Sequence, residues 1–169
     1  MVFAALEDVV WVTLSIFSIE APKLWDFLHV SMQQAPVTMT YSHNLVPVAG
    51  MVVASFAAAL TIHRQPAVAL WCAALVIGHF VCDLVSGYPH FLLHDHDHAI
   101  GLGLYRSHPF AALAIETALS FACVRYFIGH EAAKHRPVAS RTRWLLYAAF
   151  VGGSLALLPV ATRSLLSWL

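Results

Sequence analysis

From Asn44 to Ile62 no side chain carries a formal charge, and from Pro66 to Cys82 none does either. A bilayer core of ~30 Å asks for ~20 mainly apolar residues per helix, so runs of this kind dictate what the chain can become. In lipid the backbone must satisfy its own polar groups, which a helix does segment by segment. Five stretches meet the requirement, at about 2–20, 43–62, 66–86, 109–129 and 143–162. Charged residues make up only 11% of the 169. A soluble domain carries ~25% to cover its surface, so too little polar material remains to face water. The expectation is an all-α integral membrane bundle of about five transmembrane helices, one domain over residues 1–169, with a His/Asp-rich loop at 87–108. A disordered chain, a nucleic-acid binder and a small disulfide-stapled domain are excluded. Cys72, Cys82 and Cys123 all fall in apolar runs and form no CxxC pair. Glu7 and Asp8 stand where a signal peptide would be basic.

Prolines and glycines punctuate the spans. Pro22 stops the first, and the His63-Arg64-Gln65 patch ends the second. Pro66 opens the third at a first-turn position, where its missing N–H costs nothing. Gly87-Tyr88-Pro89 ends it, Pro109 opens the fourth, and Pro159 predicts a kink or an early exit in the fifth. The short turn between the second and third spans makes them antiparallel neighbours. Arg64, Lys134, Arg136, Arg141 and Arg143 fall at one face, together with the N-terminus on this topology, while Lys23, Arg106 and Arg163 fall at the other. The positive-inside rule places the first face in the cytoplasm and the second in the periplasm or outside, as in a bacterial inner membrane.

Eight of the eleven histidines then share the second face: His29, His43, His79, His90, His94, His96, His98 and His108. Asp26, Asp83, Asp95 and Asp97 join them. Within this group His79 and Asp83 have i, i+4 spacing, so both project from one helix face and can chelate a metal ion. An ionisable pair inside an apolar span is costly unless it meets a partner, a metal or a cavity; a plain His–Asp hydrogen bond is the competing reading. Ser42 is a candidate N-cap that leaves His43 in the first turn of the second span, at the depth of Asp83. Glu116 is the lone acid of the fourth span, ~10 Å below its start. It is expected as a metal ligand or a general base acting on metal-activated water, against the alternative of a neutral Glu bonded to a neighbouring helix.

The run His94-Asp95-His96-Asp97-His98 can collect divalent cations without fixed geometry, or serve only as a polar segment. His90, directly past the His79/Asp83 helix, is the better-placed loop candidate for the metal. His108 precedes Pro109, as a further ligand candidate or simply a cap of the fourth span.

With these residues assembled, the chain resembles a family of small bacterial membrane-bound metal-dependent hydrolases. The resemblance lies in Tyr-Ser-His at 41–43, His-x-x-x-Asp at 79–83, Gly-Leu-Gly-Leu-Tyr at 101–105, the Pro109 segment to Glu116, and Asp8-Val-Val-Trp-Val in the opening helix. It covers most of residues 8–120, and its specificity lies in order and spacing. The family is distantly similar to zinc-dependent phospholipase C and P1 nuclease proteins, helical folds that hold zinc through His and Asp. The resemblance implies a metal site at His43, His79, Asp83 and Glu116, with zinc as the expected ion. Asn44, where the family commonly has Ser, the 86–90 segment and the 94–98 loop depart from the pattern. Asp8 fits the family's first helix, but a crossing first span puts it at the opposite membrane face.

Two functions compete on these residues. In the first, a membrane-embedded hydrolase directs metal-activated water at a lipid-like phosphoester or ester near the headgroup level, with Glu116 as its catalytic group; no Gly-x-Ser-x-Gly elbow supports serine chemistry. In the second, a metal-handling or transport protein uses the His/Asp loop as a cation collector, although five spans show no inverted repeat. Paired-His boxes of a di-iron oxidase are missing, and two facing histidines leave haem as a further option. Membrane lipids are the expected surroundings, and a small molecule or lipid the expected substrate.

Overall fold

The computed structural model describes residues 5–21, 26, 28–93 and 98–169, and these form an all-helical membrane bundle. His94, Asp95, His96 and Asp97 lie outside the described residues. Four helical segments are long and apolar enough to cross a membrane: α2 (Leu45–His63), α3 (Pro66–Ser86), α5 (Pro109–Ala133) and a composite fourth, Ser140–Val160. Short elements lie outside them, α1 (Leu6–Ile16) and α4 (Leu104–Ser107).

The expected first span does not cross. α1 has 11 residues, a rise of ~16 Å, about half of a bilayer core. The chain turns away at Ser18, whose φ is +60°. Leu6 packs against Val48, Val76 and Phe80, so the start of α1 lies against α2 and α3. Asp8 therefore stands at the same end of the bundle as His43, and the topology that separated them is corrected. Setting the Glu7 and Asp8 carboxylates beside imidazoles replaces carrying them into lipid unpaired.

α2 and α3 form the most extensive helix pair. Arg64 in the left-handed conformation closes α2, its N–H donating to the Leu60 carbonyl at 2.9 Å, and Pro66 opens α3 two residues later. Ala59, Ala69 and Ala112 have no exposed surface, because small side chains let membrane helices approach closely. The outer faces carry the large apolar residues: Trp71, Tyr126 and Trp144 are exposed. That is the arrangement a bundle surrounded by lipid requires.

The last span is less regular than its sequence promised. Helix α6 (Ser140–Leu146) passes into a π-helical turn at Tyr147–Val151, then α7 (Gly152–Ala156) and a 3₁₀ turn at Leu158–Val160. Pro159 does end the helix, as expected, but the wider π turn two turns earlier has no proline to announce it.

Candidate metal centre

The N-terminus of α2 is built by the loop that follows α3. Asn44, not Ser42, is the N-cap residue, and its side chain does not cap. The first free N–H groups of α2, on Leu45 and Val46, instead donate to the carbonyls of Phe91 and Leu92 at 3.0 and 3.1 Å. Asn44 clamps the same segment, accepting from the Phe91 N–H at 3.0 Å and donating to the Leu93 carbonyl at 3.1 Å. Ser42 is thereby released for another task. Its Oγ lies 2.7 Å from Glu20 Oε2 and 2.9 Å from His43 Nδ1. Glu20 is buried and also accepts the N–H groups of Tyr41 and Ser42, at 2.6 and 3.2 Å. A carboxylate so surrounded by donors accepts, so the single Ser42 proton points to Glu20 and its oxygen accepts from His43 Nδ1–H. The His43 lone pair is then on Nε2, aimed at the interior of the site.

Around that interior, four side chains from three elements converge. Glu7, His43, His79 and Asp83 each bring one donor atom within 4.8 Å of the others, a set able to hold a metal ion. His79 Nε2 lies 3.3 Å from Asp83 Oδ2, 3.6 Å from Asp8 Oδ2 and 3.7 Å from Glu7 Oε2. His43 Nε2 lies 3.5 Å from both Asp8 Oδ1 and Asp83 Oδ2. Charge-assisted hydrogen bonds are shorter, at ~2.7–2.9 Å. Donor atoms bound at ~2.1 Å in a tetrahedral shell stand ~3.4 Å apart, close to the 3.3–3.7 Å that separates imidazole nitrogens from carboxylate oxygens here. Neither Glu7 oxygen has a hydrogen-bond partner among the described residues, although the residue is fully buried. A cation held among these groups would relieve both the repulsion between carboxylates and the unmet bonding of Glu7.

The electrostatics follow the same division. Burial pushes the Glu7 carboxyl up to about 7 against the pull of His79 and His43. Burial acts on Asp8 in the same direction, but the His43 and His79 imidazoles beside it win and hold it well below the usual carboxylate range. Asp8 is 54% exposed and spans both imidazoles, so it marks the open side of the site, while Glu7 closes the floor.

His90 adjoins the group without entering it. An antiparallel bridge to Ile100, with N–H···O distances of 3.0 and 2.7 Å, holds its backbone. Its ring stacks on His43 at 5.9 Å and tilts against Phe80 at 5.6 Å. Both ring nitrogens are buried without a hydrogen-bond partner, and burial pushes the imidazole down to about 4, so it stays neutral and able to ligate. Gly101 allows the return strand of this bridge: its φ is +88°, and a Cβ there would meet the Leu84 carbonyl oxygen at 2.9 Å.

Glu116 occupies a separate niche. Its Oε1 accepts from Ser86 Oγ at 2.8 Å and from the Tyr105 hydroxyl, and it is not one of the four converging donors. Burial and the Glu116 charge hold the Tyr105 phenol protonated, well above its ordinary range. Ser86 is one turn beyond Asp83 on α3, which ties Glu116 to the metal-binding face. His98 and His108 are exposed and outside the four-residue group; His108 is the N-cap residue of α5 but makes no side-chain cap.

Sequence reasoning brought His43, His79 and Asp83 to one place but missed Glu7, Glu20 and the position of Asp8. A signal was present: acidic residues in an apolar stretch need partners. Comparison with protein-family models, curated proteins and solved structures gives no match.

Proposed function

We propose that this protein is a membrane-embedded, zinc-dependent hydrolase acting on a lipid-like phosphoester or ester at the headgroup level of a bacterial inner membrane. The observation that carries the reading is the 3.3–3.7 Å spacing of His79 Nε2 from three carboxylates, over a buried Glu7 with no hydrogen-bond partner among the described residues. His43, His79, Asp83 and Glu7 hold the ion, with Asp8 across the open side and His90 in reserve behind His43. Two imidazoles with carboxylates suit zinc better than magnesium or calcium, which prefer all-oxygen shells. A bound divalent ion supplies Lewis acidity, lowering the pKa of water toward ~7 and polarising a phosphoryl or acyl oxygen.

The chain's own groups do the rest. Glu116, steadied by Ser86 and Tyr105, takes up a proton as general base. Tyr105 keeps its own proton and donates to Glu116. The open flank along Asp8, half-exposed among lipid-facing side chains, admits an amphipathic substrate from the membrane surface. The excess of Arg and Lys at the α2–α3 turn and the α5–α6 loop favours a cytoplasmic placement of that end and a periplasmic one for the site.

Purified protein in detergent, offered chromogenic phosphodiester and ester lipids with and without a zinc chelator, tests this. Turnover that the chelator removes and added zinc restores is the expected result. Turnover indifferent to the chelator contradicts it.

A further inference from the structure

A second group of charges at the far end of the bundle plays no part in the metal centre. There α5 packs against the last span, with the rings of Phe121 and Tyr147 at 5.6 Å. Tyr147 begins the π-helical turn, a widened geometry that recurs at functional sites. Beside it lies a cavity of about 250 Å³ lined by Arg125, Ile128, Ser140, Arg143, Trp144 and Tyr147.

Two guanidinium groups share this cavity, and neither has a carboxylate partner among the described residues. The acid on this stretch, Glu131, is taken by Arg136 at 3.3 Å. Arg143 is partly fixed, its Nε donating to the Val138 carbonyl at 2.7 Å. Arg125 is the more telling residue, because it sits eight positions before the end of α5, ~12 Å inside the helix. A charge at that depth is costly unless it snorkels to the interface or meets a counter-charge.

The missing partner is therefore an anion, and the walls say which kind. Trp144 is 73% exposed and Ile128 lines the other side. An indole at the rim is the ordinary marker of the headgroup level. The volume suits a phosphate with its glycerol, leaving acyl chains along the exposed apolar flanks. Basic pockets between membrane helices recognise lipid headgroups in this way, and guanidinium forks match phosphate oxygens two at a time.

We propose that this pocket binds the headgroup phosphate of an anionic phospholipid, with Arg125 and Arg143 as its two charge partners and the Ser140 hydroxyl as a further donor. The site is independent of the metal centre and lies at the opposite end of α5.

Native mass spectrometry and thermal unfolding of the full chain in neutral detergent, titrated with phosphatidylglycerol, phosphatidylcholine or inorganic phosphate, test it. Phosphatidylglycerol should bind at least tenfold more tightly than phosphatidylcholine and raise the unfolding temperature, and millimolar phosphate should do neither. Arg143→Gln and Arg125→Gln should each reduce the preference severalfold and together abolish it, with metal content at the other end unchanged as a check on folding. Arg143, at an exposed helix start, provides the test should Arg125→Gln not fold. Lys134→Gln, outside the pocket, should leave the preference intact. A preference retained in the double variant, lost equally in Lys134→Gln, or reproduced by phosphate alone overturns the assignment.

Discussion

At one end of this bundle Glu7 is fully buried and His43 is 2% exposed, with carboxylates and imidazoles gathered from α1, the turn before α2, and α3. At the other end Arg125 and Arg143 are exposed on α5 and α6 with no carboxylate partner among the described residues. Both ends face the same problem, charge within an apolar body, and they meet it oppositely. The first compensates charge internally, with both signs packed at distances a metal can bridge. The second leaves one sign uncompensated and turned toward the membrane. Buried mixed charge at this spacing is able to hold a small ion, while exposed single-sign charge is open to a counter-charge from outside.

Variants that touch only one end sharpen this contrast. The largest effect is expected from Glu116→Gln, which keeps size and hydrogen bonding but removes the base. Turnover should fall ~100-fold or more, the usual contribution of general-base catalysis, while zinc stays bound. Unchanged turnover would remove Glu116 from the chemistry and leave the His43 end a holding site only.

Next in size is Ser42→Ala, which cuts the Glu20–Ser42–His43 chain without touching a donor atom. Partners that orient a ligating His are worth ~10–100-fold in metal affinity, so zinc binding measured against a competing chelator should weaken by that factor, and Ser42→Thr should restore most of it. Affinity indifferent to Ser42→Ala would show that His43 needs no orienting partner.

The same end should respond to pH, and the arginine end should not. Glu7 is held protonated below about 7 by its burial, and must release that proton to bind a cation. Zinc affinity should therefore climb up to about tenfold per pH unit from pH 5 toward 7 for this group, more if imidazolium protons are displaced too, and then level off. A flat profile across that range would mean Glu7 is not a ligand.

The smallest effect concerns the frame. Gly101→Ala strains a residue at φ +88° and drives a Cβ against the Leu84 carbonyl, which should cost about 1–3 kcal/mol of stability by denaturant unfolding. Because the 90–100 bridge seats His90 on His43, zinc affinity should drop with it. Loss of stability with affinity unchanged would separate the loop from the site.

The four spans were legible because each is a long apolar run set off by Pro, Gly or a polar patch, and lipid leaves such runs little choice but helix. The meeting of His43 with the His79/Asp83 face followed from the short turn at Arg64-Gln65 that makes α2 and α3 antiparallel. The N-terminal segment misled for a physical reason: its composition is that of a span, and composition does not say that a helix stops at Ile16 when its own carboxylates have partners nearby. Glu20 reaches Ser42 across 22 positions through a connection with no periodic pattern to read. The π turn at Tyr147 packs against α5, and no residue pattern in the local sequence announces it.

Metal analysis by mass spectrometry of wild-type protein beside His79→Ala and Asp83→Ala tests the central claim most directly. The account predicts stoichiometric zinc in the wild type and its loss from both variants, with the Arg125/Arg143 double variant still loaded. Wild-type protein that, equilibrated with zinc and freed of excess, retains none, or His79→Ala protein that keeps its full complement, would contradict it.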